Sequence, residues 1–498
     1  MSIARLQKQK LAWLSVVALS VAMVVVGFGC GGGSTPPMVT TGTGSVVVTL
    51  SDPPSCAAPS GAAKIPDGSF SNVWITIRSI QAHISATADD NSPGWQELAP
   101  QLNSAPAQVD LLHLPAQGQC LLEHLGSASL PAGDYQQIRL ILLANASPSG
   151  SAPANNACAS LGSVFNCVVD GAGTHTLNLS SEANTGLKIP PGQVMGGPIH
   201  VAEGQSVDLN IDFNTCASIL KEGNGEFRLK PTLTAGVVSA NMTGISGQIV
   251  DSVTSQPVAG AMVTLQFADQ SGTDRIAMQE LTDSTGHFGF CPLPVGAVFD
   301  VVADAITSSG TAYNATVIFN VTGGSNLGPV PLVAETPAVA GASTGPGTIQ
   351  GTITAINGTT GASIDATVSA LQTAMVSGVN RAFTVPLFSG SNAAVVVNSS
   401  SSCPVGSPMG AFCAGYSLIV PASNPNVGTF SAGKVTFVAP AVGPILYAVE
   451  ADAINPVSSA TICSPPSHTT NQDMNGQPLA VLAGATSNAA RIDFNGCS

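Results

Sequence analysis

Short runs of alternating apolar and polar residues recur along the chain, each closed by Gly, Pro, Asp or Asn. Val46-Val47-Val48-Thr49-Leu50 ends at Asp52-Pro53-Pro54. In 73–78, alternation puts Val73, Ile75 and Ile77 on one face and Trp74, Thr76 and Arg78 on the other, the second face being a candidate for solvent. That period of two is the mark of a half-buried strand. Further strands are predicted over 108–112, 137–143, 174–179, 207–213 and 227–233, with a Ser/Ala/Pro/Asn-rich surface loop over 145–156. Pro257 and Gly260 predict a turn between two alternating runs, and Asp283 with Gly286 predicts the next hairpin. Gly347 opens another alternating strand, Thr348-Ile349-Gln350-Gly351-Thr352-Ile353-Thr354. The pattern predicts an all-β fold of tandem β-sandwiches over 44–238, 244–335 and 347–498, with a small-residue linker at 336–346.

Composition sharpens this picture. Apolar residues make up 44% and charged residues only 8%, against about 25% charged in average soluble domains. A disordered chain would show the reverse balance. The 53 Gly and 35 Pro suit strands joined by tight turns. With net charge −14 and 14 Lys plus Arg, three of them at Arg5, Lys8 and Lys10, no basic stripe for phosphates can be assembled. Nucleic acid is therefore excluded as a partner.

The N-terminus reads as an address. A basic segment precedes an apolar run from Leu11 to Val26, followed by Gly27-Phe28-Gly29-Cys30. Basic, apolar and small-residue regions in that order make an export signal over 1–29. Gly29-Cys30 resembles the lipobox of bacterial lipoproteins, with Gly27 where Leu is common. That resemblance implies diacylation of Cys30, a membrane partner through the lipid and a place in the cell envelope. Gly31 stands where an Asp would resemble an inner-membrane retention signal, so the outer membrane is favoured. Residues 30–43, with Gly31-Gly32-Gly33-Ser34 and Pro36-Pro37, predict a flexible tether.

Of eleven cysteines, setting Cys30 aside leaves ten in a compartment that permits disulfides. Cys158 with Cys167 and Cys403 with Cys413 are candidates for short loops, and Cys463 with Cys497 for a third bridge. For Cys56, Cys120, Cys216 and Cys291, either one bridge crosses between domains or two thiols are free.

Two resemblances follow from motifs. Leu50-Ser51-Asp52-Pro53, Leu130-Pro131-Ala132-Gly133-Asp134-Tyr135, Ile211-Asp212-Phe213-Asn214 and Leu229-Lys230-Pro231 resemble an uncharacterised family of domains near the N-termini of bacterial lipoproteins. It implies no chemistry. Gly247-Gln248-Ile249-Val250-Asp251, Pro257–Leu265, the 282–290 segment and Leu293-Pro294-Val295-Gly296 resemble the carboxypeptidase regulatory-like domain, with Phe299 three residues on where the family has Tyr after the last Gly. That resemblance implies a transthyretin-like sandwich of carbohydrate-binding-like fold, within an Ig-like/transthyretin-like array, and implies no peptidase activity. The ending Ile492-Asp493-Phe494-Asn495-Gly496-Cys497 echoes Ile211-Asp212-Phe213-Asn214-Thr215-Cys216.

No motif supplies a catalytic centre. The His residues (83, 113, 124, 175, 200, 287, 468) lack the spacing of a helical zinc motif, and no Cys-x-x-Cys pair occurs, so no metal or cofactor is expected. Gly341-Ala342-Ser343-Thr344-Gly345 matches a nucleophile elbow in letters but sits in a linker. Asp89-Asp90-Asn91 with Gly94 suggests a loose calcium loop, yet Pro100 stands where an EF-hand needs Glu. Asp212 and Asp493 read as strand-end residues, and the absence of Lys from 244–335 excludes a lysine–asparagine crosslink there. The expected function is non-catalytic binding or display, with Trp74, Arg78 and Trp95 as candidate ligand-binding residues and an extracellular or cell-wall polysaccharide as candidate partner. The alternatives are a spacer engaging a surface protein and, last, a hydrolase assembled in the first domain.

Overall fold

The structure is a computed structural model. It describes residues 42–52, 70–117, 120–146, 153, 155–179, 182–221, 225–230, 232–238, 243–269, 271–294, 296–307, 311–335, 345–388, 390–399, 403–441, 443–454 and 463–497. The chain falls into two units, Met1–Thr41 and Gly42–Ser498. The first unit, with Cys30, lies outside the described residues, as do Cys56 and Gly341–Thr344.

The body is all-β, with 57% strand and 3% helix. In the N-terminal segment, strand Thr43–Ser51 runs parallel to Ser206–Phe213 and antiparallel to Cys120–Pro131. Val46, Val48 and Leu50 share a buried face with Leu209, Ile211 and Phe213. A second sheet, built on Asn72–His83 and Gln137–Leu142, closes the core with Ile75, Ile77, Ile80 and Leu140. Burying such a side chain stabilises by roughly 1.5–3 kcal/mol, so alternation over a dozen positions sets the strand faces.

The opposite face of Asn72–His83 departs from the solvent-facing reading. Arg78 is exposed and Trp74 is half-buried, but Thr76 is fully buried. Phe165 and Asn166 lie over Thr76, which donates to Phe165 O at 2.6 Å, while Asn166 Oδ1 accepts its N–H at 2.9 Å.

Residues 245–332 form seven strands in two sheets. Strand Ile245–Asp251 pairs with His287–Phe290 and Asn326–Leu332. Met262–Ala268, Thr273–Leu281, Val298–Asp304 and Thr316–Thr322 form the other sheet. The Asp283–Gly286 turn exists, with Asp283 Oδ1 accepting from Thr285 N at 2.8 Å and His287 N at 3.0 Å. It closes no hairpin. It carries the chain from Thr273–Leu281 in one sheet to His287–Phe290 in the other, because Phe288 and Phe290 are needed inside the sandwich.

The C-terminal segment clasps this four-stranded sheet at both edges. Val379–Val385 pairs in parallel with Thr273–Leu281 through Thr273↔Ala382 and Asp274↔Phe383. On the far edge, Asn426–Ser431 pairs in parallel with Thr316–Thr322 from Thr316↔Asn426 to Phe319↔Thr429. Charged groups pin the seams. Arg381 reaches Asp274 at 2.9 Å and also Asp300, and Arg275 reaches Glu450 at 2.5 Å. Between the N- and C-terminal segments, Arg228 grips Asp365 with two nitrogens, and Lys230 donates to Thr367.

Four disulfides lie among the described residues: Cys120–Cys291, Cys158–Cys167, Cys403–Cys413 and Cys463–Cys497. The first joins the N-terminal segment to the middle one across 171 residues.

The repeated Ile-Asp-Phe-Asn motif occupies one architectural position twice. In each case its strand runs parallel to the strand that opens the segment: Ile211↔Leu50 and Asp212↔Ser51, then Ile492↔Ile353 and Asp493↔Thr354.

Candidate functional site

A cleft of about 700 Å³ opens on the C-terminal segment, a size usual for small-ligand sites. Its floor follows from strand alternation. In Gly347–Asn357, Ile349, Ile353 and Ala355 point into the core, so Gln350 and Thr352 point out. In the antiparallel partner Phe412–Val420, Tyr416, Leu418 and Val420 point in, so Gly415 and Ser417 point out. Asn488, paired with Gln350, and Asn392, bridged to Ser417, extend the floor on either side.

The walls are loops held from behind. Pro404 and Val405 stand beside the Cys403–Cys413 bridge, and Arg491 Nη1 donates to Gly406 O at 2.7 Å. Met474 follows Asp473, whose Oδ1 accepts from Asn475 N at 2.8 Å and Gln477 N at 2.9 Å. Val405 and Met474 are both exposed.

Beneath the floor lies Tyr416, opposite Gly351. A Cβ at position 351 would stand 2.2 Å from Tyr416 Oη, so the ring fits only over glycine. The Tyr416 hydroxyl is buried without a hydrogen-bond partner, and burial pushes its pKa up.

The electrostatics of the cleft are close to neutral. Arg491 is the charged residue of its lining. It donates through Nε to Asp493 Oδ1 at 2.6 Å and through Nη2 to Oδ2 at 3.1 Å. Burial works to raise the Asp493 pKa, but Arg491 and the Thr354 hydroxyl outweigh it and hold the carboxyl below its usual range. What remains in the cleft is a set of amides and hydroxyls that both donate and accept.

The residues singled out from the sequence lie elsewhere. Trp74 and the Trp95 neighbourhood sit at opposite ends of strand Asn72–His83, nine residues or about 30 Å apart along it, so they do not form one site. Arg78 donates to Ala183 O at 3.3 Å. Trp95 is built into a polar cluster. The Arg139 guanidinium lies 4.1 Å from its ring centroid, and His83 packs at 5.1 Å. Its indole N–H donates to Asp89 O at 3.0 Å. Arg139 Nε donates to Gln81 Oε1 at 2.6 Å, and Gln81 donates in turn to Glu97. Ser85 N donates to His83 Nδ1, which leaves Nε2 as the donor to Pro93 O at 3.0 Å. One Trp95 face is therefore covered by the Arg139 guanidinium and its hydrogen-bond network, and the indole is half-buried.

The Asp89 loop is closed by its own Asx turn, with Oδ1 accepting from Asn91 N and Ser92 Oγ at 3.0 Å each. His113 is held by Asp110 at 2.9 Å, and His124 lies exposed on Cys120–Pro131. Gln350 and Thr352 were legible in the sequence as the polar face of a strand. Asn392, Ser417, Asn488 and Arg491 carry no local signal, because only long-range pairing brings them there.

Residues 43–231 match the family described as Domain of unknown function (DUF4382). No curated protein matches the chain. Among solved structures, similarity extends to the Bacillus anthracis TIE protein at 10% identity, over 91% of this chain and 51% of that one, with a TM-score of 0.16. The shaft pilin SpaA from Lactobacillus rhamnosus GG matches at 10% identity, over 60% and 100%, with a TM-score of 0.17. A 9R-lipoxygenase from Cyanothece PCC8801 matches at 16% identity, over 21% and 18%, with a TM-score of 0.16. The chain thus spans about a fifth of the lipoxygenase and half of the TIE protein.

Proposed function

We propose that this chain is an exported, lipid-anchored envelope protein that binds a neutral, hydroxyl-rich ligand, a carbohydrate, in the cleft of its C-terminal segment. One observation carries the reading: Gln350, Thr352, Asn392, Ser417 and Asn488 line a 700 Å³ cleft whose arginine is already paired with Asp493. Paired amides and hydroxyls match the alternating donors and acceptors of a polyol. An anionic ligand would call for an unpaired cation instead. The anchor at Cys30 rests on the N-terminal signal, and the disulfides agree with an oxidising compartment. The seven strands over 245–332, split three and four between two sheets, support the carboxypeptidase regulatory-like assignment for the middle segment.

The test is binding of the full chain in detergent micelles to a panel of neutral and acidic polysaccharides, beside Gln350→Ala/Asn488→Ala and Trp95→Ala variants. The expected result is saturable binding to a neutral member, lost in the double variant and kept in Trp95→Ala. Loss only in Trp95→Ala moves the site to the N-terminal segment, and no binding at all overturns the carbohydrate reading.

A spacer that holds a surface protein is the second reading. It is supported by the clasped sheet and the Cys120–Cys291 bridge, which tie all three segments into one body.

A further inference from the structure

Where the middle and C-terminal segments meet, a group of buried oxygens has no donor among the described residues. Asp304 ends strand Val298–Asp304 and is fully buried, and neither of its carboxylate oxygens has a hydrogen-bond partner. Glu335 follows strand Asn326–Leu332. Its Oε1 accepts from Ala422 N at 2.7 Å and lies 3.4 Å from Ser423 Oγ, the Gly345 N–H also acts on the carboxylate, and its buried Oε2 closes no hydrogen bond among the described residues. Gln372, on strand Ile364–Val376, is 2% exposed. Its amide nitrogen donates to Ser423 O at 3.3 Å, and its Oε1 is left without a partner.

One loop, 421–424, gathers Glu335 and Gln372, and Asp304 joins them through Glu335. Pro421 O accepts from Tyr447 Oη at 2.7 Å, Ala422 N holds Glu335, and Ser423 O holds Gln372. Asp304 is close enough to Glu335 and Tyr447 for its charge to act on both. Ser423 Oγ also donates to Asn314 Oδ1 at 2.5 Å, so the hydroxyl at the centre is already committed.

The inventory of orphans decides what is missing. A second buried polar cluster in the N-terminal segment has unpartnered oxygens on Asp52 and Asp212, but it also holds donors, the Thr215 side chain acting on Asp52 and the unpartnered Thr234 hydroxyl. Acceptors there have hydroxyl donors beside them. Around the 421–424 loop, the orphans are Asp304 Oδ1 and Oδ2, Glu335 Oε2 and Gln372 Oε1, all of them acceptors. Two carboxylates and an amide carbonyl form an all-oxygen set, which suits a hard cation.

We propose that Asp304, Glu335 and Gln372 hold a divalent cation of the calcium class where the middle and C-terminal segments meet. Calcium takes about six to eight oxygens in flexible geometry, so the four orphan atoms leave room for water or backbone carbonyls. The cation neutralises both carboxylates and ties Val298–Asp304, Glu335 and Ile364–Val376 together. Without it, burial drives both carboxyls toward their neutral forms, Asp304 well above the usual range and Glu335 up to about 7, with the Glu335 charge adding to the effect at Asp304.

The test uses the full chain in detergent micelles, stripped with EDTA, at pH 7.5. Terbium is the probe, because Tyr447 beside the site acts as its antenna. The expected result is saturable tyrosine-sensitised emission, displaced by calcium, with calcium raising the melting temperature by a few degrees. Asp304→Asn weakens terbium and calcium binding by about tenfold or more. Tyr447→Phe dims the emission with calcium affinity unchanged, and undiminished emission there places the ion elsewhere and overturns the proposal. Should Asp304→Asn fail to fold, Gln372→Glu supplies a third carboxylate and tightens calcium binding. No tightening, or no calcium retained by the unaltered chain after dialysis, overturns the proposal and leaves protons as what neutralises the pair.

Discussion

Ser51 Oγ donates to Asp212 Oδ1 at 2.9 Å across a parallel strand pair. Thr354 Oγ1 donates to Asp493 Oδ1 at 2.6 Å in the same register position of the C-terminal segment. The motif is shared, but the surroundings differ. Asp493 has Arg491 beside it and is held below the usual carboxylate range. Asp212 is fully buried with its Oδ2 unpartnered, and burial pushes its pKa up to about 8.

A pH dependence follows. Burial pushes the Asp212 carboxyl from the ordinary aspartate range of about 4 up to about 8 in the fold. Its folded form therefore holds a proton that the unfolded chain releases, and the stability it brings is full below pH ~4 and lost as pH rises toward ~8. Asp52, also buried and facing Asp212 and Asp110, acts in the same direction. Urea unfolding midpoints are expected to fall between pH 5 and 8. Asp212→Asn keeps the bond from Ser51 and flattens that slope, with a gain at pH 8 on the order of a few kcal/mol. An unchanged slope would show that Asp212 is ionised in the fold.

The Cys120–Cys291 bridge closes a loop of 171 residues. Cys120→Ala/Cys291→Ala is expected to lower stability by ~2–5 kcal/mol through the unfolded chain. Non-reducing peptide mapping gives the direct check, as a single crosslinked species containing both residues.

At the seam between the N- and C-terminal segments, Asp365 is the counter-charge for Arg228 and also acts on Lys230, whose pKa burial pulls down to about 8. Asp365→Asn removes the counter-charge shared by half-buried Arg228 and buried Lys230 and leaves Asp452 to act on Lys230, whereas Arg228→Met removes one of the two cations. Asp365→Asn is expected to cost about 3–5 kcal/mol in urea unfolding, more than Arg228→Met. Equal costs would mean that Lys230 does not depend on Asp365.

Gly351→Ala places a methyl 2.2 Å from Tyr416 Oη. The ring is packed in the core, so the expected loss is about 1–3 kcal/mol. Adding Tyr416→Leu recovers part of it, a non-additivity that a double-mutant cycle reads.

How much of this was visible in the chain depends on the range of the signal. Alternation at Val46–Leu50, Val73–Ile77 and Gly347–Thr354 located strands and their buried faces, because a strand face is set by neighbours two residues apart. The cysteines near in sequence found each other, while Cys120 and Cys291 were two of four without an assigned partner. The Asp283–Gly286 turn was legible, but the strand it leads to was not. A local turn does not say which of two sheets receives the chain. Thr76 reads as polar and exposed, yet Phe165 and Asn166 supply its hydrogen bonds and it is buried. The cleft was the least legible of all. Asn392, Ser417 and Asn488 meet across nearly a hundred residues through strand pairing alone.

The clasp on the middle sheet has a consequence for biogenesis. Strand Thr316–Thr322 acquires its outer neighbour only when Asn426–Ser431 is available. A chain that crosses a membrane from its N-terminus therefore presents a half-finished sheet, with a bare row of backbone donors and acceptors, until the last quarter has emerged. Such an interval invites pairing with the wrong strand, a hazard that three independent beads on a string would not carry.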